Sequence, residues 1–515
     1  MIRHFLSSRA ARILLWILIT LVTLIALLYV WTNWSGRRRW AAAKAMIEHE
    51  GETLDFRKLL PRTPPETKNL LAIEPLRGIT EVIGSDESKG EAGARRKALS
   101  ALKLAGNAPP TRGLDAGQPA DMQTWATFLR ETKFLELPAT SPVASKEVLA
   151  ALDAKFPVLK QLSDLSPQRS EALFTPGLPE RELPGMLFTL PLPHYTLALQ
   201  LSRALGLRAL AAIHAGQGAE AARSLLAAEK IGQACEGEPL LIGFLVGATA
   251  EYTVLEGIWT GLREKAFSEA DLSLLEQCLK RHDLDKALLQ SFRGELAASI
   301  TSLEYLQTTA GGKKAAGQES ADSLAGASSP LAVATSRSTP GGLFDHWKSA
   351  ILEMEWKHIL HPLRDGGVAG LFRNGDQISS ELEQKRNPIL HADCIMANLM
   401  IPAFTTVANK TLLTQARERQ ALAALALERF FLKHARYPAT LAELAPEFLS
   451  AVPLDPCDGK PMRYRTTPDG RYQLWSVGFD GKDDDGKVSL DSKGTAKLNK
   501  RDYLGDWAWQ YEPVK

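Results

Sequence analysis

The stretch RYPATLAELAPEFLSAVPLDPCDGKPMRY, residues 436–464, decides how the C-terminal part of the chain folds. Tyr437-Pro438 ends a long helical pattern, because proline disfavours the α conformation of the residue before it. Thr440 and Glu443 then form a capping box for a short helix, LAELAPEFL. Asp455-Pro456 is a turn signal that follows this helix. The stretch therefore predicts a long helix, a short helix and then a turn-rich segment of β type.

The residues after this stretch predict a small antiparallel sheet. PMRYRT and RYQLWSV have strand-like composition, and Asp469-Gly470 between them is a signal for a two-residue hairpin loop. DWAWQYE near the end of the chain alternates in polarity, which would place Trp507, Trp509 and Tyr511 on one face of a third strand.

A long helix precedes the stretch. TLLTQARERQALAALALERFFLKHARYP has apolar residues at helical spacing, with Leu422, Leu425, Ala426 and Phe430 in one stripe. This pattern predicts an amphipathic helix that packs through a single face.

The order of these elements and several of their residues resemble the C-terminal part of the major pseudopilin of type II secretion systems. That family has YP-x-x-L-x-x-L, a P-x-D-P turn, a G-x-P-x-x-Y strand and S-x-G-x-D-G. The resemblance covers roughly residues 400–512, and the whole chain also resembles large membrane-anchored proteins of planctomycete and verrucomicrobial type that carry this ending. The matching positions are Tyr437, Pro438, Leu441, Leu444, Pro453, Asp455, Pro456, Gly459, Pro461, Tyr464, Ser476, Gly478, Asp480 and Gly481.

The resemblance implies a calcium ion in the loop that follows S-x-G-x-D-G. Calcium takes six to eight oxygen ligands, often from clustered carboxylates. On this reading the ligands are Asp480, Asp483 and Asp485 in the loop, with Asp502 or Asp506 arriving with the last strand. A solvated acidic turn without an ion is the alternative that the residues leave open.

Two departures from the family limit what the resemblance implies. Pseudopilins have a glutamate early in the membrane helix, and the apolar N-terminal stretch here has none. The pilin-like helix also lies hundreds of residues from that stretch. We therefore expect a pilin-like head on an anchored body, and not a subunit that polymerises.

The N-terminus predicts a membrane anchor. Residues 13–31, ILLWILITLVTLIALLYVW, carry no charge, and about 20 such residues cross the hydrocarbon layer as a helix. Arg3, Arg9 and Arg12 precede the stretch, whereas residues 37–39 and Lys44 supply the positive charges after it, so the charge count does not fix the orientation. Because pseudopilin heads lie outside the cytoplasmic membrane, the resemblance implies a single-pass inner-membrane protein with a periplasmic body.

The remaining chain predicts a large helical body. Its strongest helical block runs from about residue 193 to 306, and residues 309–342 are rich in Gly, Ala and Ser. The predicted fold class is mainly α, with a small C-terminal α+β module. The predicted divisions are an anchor at 1–40, a helical body at 41–308, a low-complexity insertion at 309–342, a helical continuation at 343–400 and the pseudopilin-like module at 401–515.

Few residues suggest catalysis. A formal net charge of +2 gives no sign of nucleic-acid binding, and the four cysteines have no zinc-ligand spacing. No motif for a nucleotide or another small-molecule cofactor is present.

Glu251, Glu256 and Glu295 lie in the apolar block, where paired carboxylates could act as general acid and base, but such residues more often face solvent or pair with a cation. His358 and His361, one helical turn apart, lack a third metal ligand.

These observations favour binding over turnover, although they do not decide whether the protein is an enzyme. We expect an anchored protein that interacts or assembles with other envelope proteins, with a possible link to type II secretion or a pilus-like system. The alternative is an anchored envelope hydrolase with its site in the helical region 190–400. A perturbed carboxylate such as Glu251 or Glu295 in a deep pocket would favour that alternative.

Overall fold

In the computed structural model, the chain is mostly helical, with a three-stranded antiparallel sheet near its C-terminus, as predicted. Most of the low-complexity insertion and the predicted calcium ligand Asp502 lie outside the residues that the structure describes. The described residues are 9–80, 88–104, 113–115, 120–138, 143–174, 192–310, 340–387, 391–400, 402–489, 498 and 504–511.

The helices and strands are numbered in chain order. The helices of the N-terminal half are α1 Arg9–His49, α2 Phe56–Leu59, α3 Gly90–Leu99, α4 Met122–Glu131, α5 Ser145–Lys155, α6 Pro157–Leu165, α7 Pro193–His214 and α8 Gly218–Glu236. Those that follow are α9 Leu241–Arg263, α10 Glu269–Lys280, α11 Leu284–Ala310, α12 Gly341–Glu355, α13 His361–Gln384, α14 Ile395–Met400 and α15 Pro402–His434. The strands are β1 Arg463–Thr466, β2 Tyr472–Ser476 and β3 Trp507–Trp509.

Helix α1 has two different surroundings along its length. Its apolar residues from Ile13 to Trp34 are exposed, whereas Ala43 and Ile47 near its end are buried in the body. Three helices of the described chain, α7, α9 and most of α1, are long and apolar enough to cross a membrane, but the apolar parts of α7 and α9 are mostly covered by the body. Helix α1 also runs without a break across residue 40, where the sequence predicted the end of the anchor.

The second half of α1 packs closely against α12. A Cβ atom on Gly36 would lie 2.2 Å from the Gly342 carbonyl oxygen, so the two backbones touch where glycine alone fits. Asn33 accepts a hydrogen bond from the Gly342 N–H at 2.7 Å, and Arg39 forms ion pairs with Glu353 and Asp393. These contacts fix the direction of α1 relative to the body.

Helices α7, α8 and α9 form the centre of the body. Their sequences are rich in alanine and leucine, which favour helix, and the buried residues surround each helix. Gly216 ends α7 in the left-handed conformation with φ +72°. A capping box formed by Ser268 and Asp271 begins α10, as the sequence indicates.

The sheet has the order β1-β2-β3, and each adjacent pair is antiparallel. The predicted hairpin is present, but its loop spans residues 467–471, and the two-residue loop predicted at Asp469-Gly470 is wrong. The Gly470 N–H donates to the Thr467 carbonyl at 2.9 Å, and the Thr467 N–H donates to the Arg471 carbonyl at 2.9 Å, which closes a longer turn. All three residues of β3 are buried.

Helix α15 is buried on all sides along much of its length, so the prediction of an amphipathic helix with one apolar face is wrong. Ala423, Ala424 and Leu427, outside the predicted stripe, are as inaccessible as Leu425. The reason is that α15 packs against α9, α10 and α13 and also supports the sheet. Arg417 donates to the Ala508 carbonyl of β3 at 2.7 Å.

Asp455 of the P-x-D-P turn joins the turn to the end of β2. Its carboxylate accepts hydrogen bonds from the Ser476 hydroxyl at 2.7 Å and from the Val477 N–H at 2.9 Å, and it pairs with Arg463 at 2.8 Å. The side chain is fully buried. Asp455 of the P-x-D-P motif therefore bonds directly to Ser476 and Val477 of the S-x-G motif, which holds the two motifs together.

The short helix predicted from LAELAPEFL is also only partly correct. Thr440 and Glu443 form the predicted capping box, but the helix is one 3₁₀ turn, Leu441–Leu444. Pro446 lies two residues after the end of this turn and has no N–H to continue a helical hydrogen-bond ladder.

Candidate functional site

The aspartates of the predicted calcium loop are held largely by protein groups. Asp483 accepts a hydrogen bond from the Trp475 indole at 2.9 Å and lies 3.4 Å from the Arg463 guanidinium. Asp485 forms an ion pair with Arg465 at 2.9 Å. The loop charges are therefore compensated in part by arginines of β1.

Asp506 is the one described member of this predicted set that is fully buried. One oxygen accepts from the N–H groups of Asp484 at 3.1 Å and Gly486 at 2.7 Å, and the other has no hydrogen-bond partner in the part of the chain that the structure describes. Burial, together with the charges of Asp483 and Asp484, raises the pKa of Asp506 to about 7. Asp480 is partly exposed and, among the described residues, accepts a hydrogen bond only from the Lys482 N–H at 3.1 Å.

A different group of acids converges inside the helical body. We call it the acidic cluster, and it comprises Glu229, Glu236, Glu251, His282 and Glu418. Helix α8 supplies the first two residues, α9 the third, the turn between α10 and α11 the histidine, and α15 the last. In the described part of the chain, Glu236, Glu251 and His282 form the group of metal-ligand side chains whose donor atoms all lie within 4.8 Å of one another.

A close crossing of α8 and α9 brings the cluster together. A Cβ atom on Gly232 of α8 would lie 3.2 Å from the Gly247 carbonyl oxygen of α9. A Cβ atom on Gly247 would in turn lie 2.2 Å from Cγ of Glu236, so glycine leaves the space that this side chain occupies. Glu251 follows Gly247 by one helical turn and therefore projects from the same side of α9.

The imidazole of His282 lies at the centre of the cluster. Its Nε2 is 2.5 Å from Oε2 of Glu236. Its Nδ1 is 3.4 Å from Glu251, 3.5 Å from Glu418 and 3.7 Å from Glu229. Carboxylates therefore surround both ring nitrogens.

The cluster is buried and incompletely hydrogen-bonded. Glu251 is 1% exposed, and neither of its carboxylate oxygens has a hydrogen-bond partner among the described residues. His282 Nδ1, one oxygen of Glu229 and one oxygen of Glu236 also lack partners. Buried polar groups without partners are rare in folded proteins, because each costs about 1–3 kcal/mol.

The electrostatics of the cluster follow from this burial. Burial raises the pKa of Glu229 to about 7, and burial raises the pKa values of Glu251 and Glu418 as well. Burial alone would lower the pKa of His282, but the charges of Glu236 and Glu251 outweigh it and hold that pKa well above its usual value. The cluster favours bound protons or a bound cation over free negative charge.

The other two glutamates suggested by the sequence have different roles. Glu256 accepts hydrogen bonds from the backbone N–H groups of Gly113 and Leu114, and burial raises its pKa to about 8. Glu295 accepts from the Leu241 N–H at 3.4 Å. Neither belongs to the acidic cluster, so the structure does not bring the three predicted carboxylates together.

The two histidines of HILH also have separate environments. His358 contacts Glu381 at 2.6 Å, whereas the half-exposed His361 lies 3.5 Å from Asp365. The sequence alone suggested Glu251 but missed Glu229, Glu236, His282 and Glu418. The available signal was the presence of charged residues inside strongly apolar helices.

No family model, curated protein or solved structure matches the chain. The class that the fold defines is a mostly helical protein with a small antiparallel C-terminal sheet and a long, apolar N-terminal helix.

Proposed function

We propose that the protein is a single-pass membrane protein whose extracytoplasmic body acts by binding other envelope proteins. The observation that carries this proposal is the unbroken helix α1, which passes from exposed apolar residues directly into the core of the body. In this arrangement the bilayer would surround the first part of α1, and the body would lie close to the membrane surface.

The joint between α1 and α12 supports a fixed orientation of the body. The contact between Gly36 and Gly342 and the ion pairs of Arg39 leave no flexible linker between the apolar segment and the body. A protein that positions a partner at a defined height above the membrane would benefit from such a joint.

The burial of the acidic residues favours binding over turnover. Glu251 meets one criterion of the alternative hydrolase, because burial raises its pKa. A hydrolase also needs access for substrate, and Glu251 is 1% exposed. Catalysis at this site would require an opening that the packed helices α8 and α9 do not provide.

The C-terminal module is the part that we propose contacts the partner. Leu454 and Leu504 are large apolar side chains with 50% and 63% exposure on this module. Apolar side chains of this kind lose their contact with water when a partner covers them, which favours binding. A link to type II secretion or a pilus-like system remains a prediction from the resemblance.

Calcium binding by the module is a second part of the proposal. It is supported by the buried oxygen of Asp506 that has no hydrogen-bond partner. Asp483 and Asp485 are paired with arginines, so their recruitment as ligands would require these pairs to open. Calcium would hold the loop against β3 and keep the module rigid.

Membrane placement and binding are tested together in cells. A photo-crosslinking residue replaces Leu504 in the module or Ile242 in the body, since both side chains are more than half exposed. We expect a specific crosslink to an envelope protein from position 504 only, and degradation of the body when protease is added to spheroplasts. A body protected from protease, or equal crosslinks from both positions, would contradict the proposal.

Calcium is tested on the full-length protein in detergent. We expect calcium to raise the melting temperature of the wild type and to have no effect on Asp506→Asn. If calcium changes neither protein, the calcium part of the proposal is wrong and the anchoring part stands.

A further inference from the structure

The acidic cluster contains four carboxylates and a single cationizable group. In the described part of the chain, the ion-pair partner of these carboxylates is His282 alone. No lysine or arginine of the described residues lies within ion-pair distance of them. An uncompensated group of this kind is very costly in a protein interior.

A proton on Glu251 would have no short hydrogen bond to His282. A protonated carboxyl group donates an O–H hydrogen bond, which requires an acceptor at about 2.5–3.0 Å. Neither oxygen of Glu251 has a hydrogen-bond partner, and its distance to His282 Nδ1 is 3.4 Å. The oxygens of Glu418 and Glu229 are also too far from Nδ1 for strong hydrogen bonds.

The same distances suit ligands that share an ion. Two ligands of a tetrahedral ion lie roughly 3.4 Å apart when each is about 2.1 Å from the ion. The separation of His282 Nδ1 and Glu251 has this value, and that of Glu418 is close to it. The separation of His282 Nδ1 and Glu251 is therefore the one expected of two donors that share an ion, and Glu236, Glu251 and His282 keep their donor atoms within 4.8 Å of one another.

We propose that the acidic cluster binds a first-row divalent transition-metal ion, and that Glu251 and His282 are its central ligands. Imidazole and carboxylate without thiolate is a donor set for Mn²⁺, Fe²⁺ or Zn²⁺. Magnesium usually keeps several water molecules and calcium prefers an all-oxygen shell, so neither suits a buried site with a histidine.

The contact between His282 and Glu236 supports this assignment. A histidine that binds a metal through one nitrogen commonly donates the N–H of the other to a carboxylate. Nε2 of His282 lies 2.5 Å from Glu236, which leaves the lone pair of Nδ1 free for an ion. Glu236 is then a positioning residue that fixes the ring.

The ion would join separate parts of the body. Its ligands come from α9 and the turn before α11, and Glu418 comes from α15. The neighbouring Arg417 and Gln420 of α15 donate to carbonyl groups of β3. A bound ion therefore stabilises the helix that supports the C-terminal sheet. This structural role of a metal ion is separate from the proposed binding of envelope proteins.

The first experiment measures metal content. The full-length protein is produced in cultures supplemented with manganese, iron or zinc, purified in detergent and analysed by elemental mass spectrometry. We expect about one ion per chain in the wild type from at least one culture. Glu251→Gln and His282→Gln should each retain less than about a tenth of that amount.

The matched control is Glu355→Gln. Glu355 is fully buried, and both of its carboxylate oxygens lack partners, but it lies outside the acidic cluster. This variant should keep its ion. Equal metal content in the wild type and Glu251→Gln would place any bound ion elsewhere and overturn the proposal.

A second measurement needs no variant and therefore does not depend on whether a variant folds. Removal of the ion from the wild type by a chelator should lower the melting temperature, and Mn²⁺, Fe²⁺ or Zn²⁺ should restore it while Ca²⁺ and Mg²⁺ do not. A wild type without bound metal from every culture, with no thermal response to these ions, would show that protons fill the cluster and would overturn the proposal.

Discussion

The aspartate loop at the C-terminus and the acidic cluster in the helical body use carboxylates in opposite ways. In the loop the acids are adjacent in sequence, and Asp483 and Asp485 pair with arginines of β1. In the cluster the acids come from two consecutive helices, α8 and α9, and from the distant α15, and among the described residues they surround one histidine without an arginine or lysine in ion-pair contact. Proximity along the chain is therefore a poor guide to which carboxylates need a cation.

The largest effect is expected at Asp455, a buried acid of the C-terminal module that has full compensation. Asp455→Ala would remove the buried one of the carboxylates that pair with Arg463 and leave the Val477 N–H and the Ser476 hydroxyl without their acceptor. The free energy of unfolding should fall by about 3–5 kcal/mol, as for other broken buried ion pairs. Denaturant titration measures this change, and a loss below about 1 kcal/mol would contradict the role of Asp455.

The close helix crossing beneath the cluster gives the next effect. Gly247→Ala places a Cβ atom 2.2 Å from Cγ of Glu236, so the side chain or the helix must move. We expect a loss of about 1–3 kcal/mol from overpacking, together with loss of bound metal.

The control for this change is Gly366→Ala. Gly366 is an exposed glycine beside the helix kink at Gly367, and an added Cβ atom there would meet only the flexible end of Arg373 among the described residues. Because the added methyl group has room, this variant should be about as stable as the wild type. An equal loss in the free energy of unfolding for Gly247→Ala and Gly366→Ala would contradict the steric explanation.

Glu381 has several cationic neighbours, in contrast to the acidic cluster, and its pKa shifts in the opposite direction. Partial burial alone would raise the pKa of Glu381, but hydrogen bonds from Lys357, Lys385 and His358 lower it to about 2. Because the folded-state pKa lies below the unfolded value, the stabilisation is complete above about pH 4.5 and is lost as the pH falls towards 2.

The measurement compares Glu381→Gln with the wild type between pH 6 and pH 2. The wild type should be more stable by about 1–2 kcal/mol at pH 6, and the difference should vanish at the acidic end. Glu383→Gln is the control, because Glu383 is exposed and its ion-pair partner among the described residues is Arg386 at 3.4 Å. A difference that is independent of pH would contradict the assigned ion pairs.

The smallest effect is expected at Asp480. Within the part of the chain that the structure describes, its side chain accepts one hydrogen bond, from the Lys482 N–H of the same turn. In the absence of calcium, Asp480→Ala should change the stability by less than about 0.5 kcal/mol in thermal melts. A large loss without calcium would show that the loop is organised by contacts of Asp480 that the structure does not show.

The sequence predicted elements whose cause is local. The capping boxes at Thr440 and Ser268 and the hairpin around Gly470 are present, because each depends on residues within a few positions of one another. The predicted single apolar face of α15 is wrong for a related reason. An alanine-rich helix can be buried on any side, and its neighbours come from distant parts of the chain.

The acidic cluster could not be assembled from local patterns. Glu229 and Glu236 lie seven residues apart on α8, which resembles an ordinary charged face of a helix. Gly232 and Gly247 indicate a close helix crossing only once the pairing of α8 and α9 is known. The position of His282 in a short turn between helices gives no metal-ligand spacing.

The measurement that tests the central claim most directly is X-ray absorption spectroscopy of the purified full-length protein at the edge of its bound metal. We predict a first shell of nitrogen and oxygen atoms at about 2.0–2.2 Å, with the outer-shell scattering of a single imidazole that disappears in His282→Gln. A shell that contains sulfur, or a spectrum that His282→Gln leaves unchanged, would contradict the claim that the acidic cluster holds the ion.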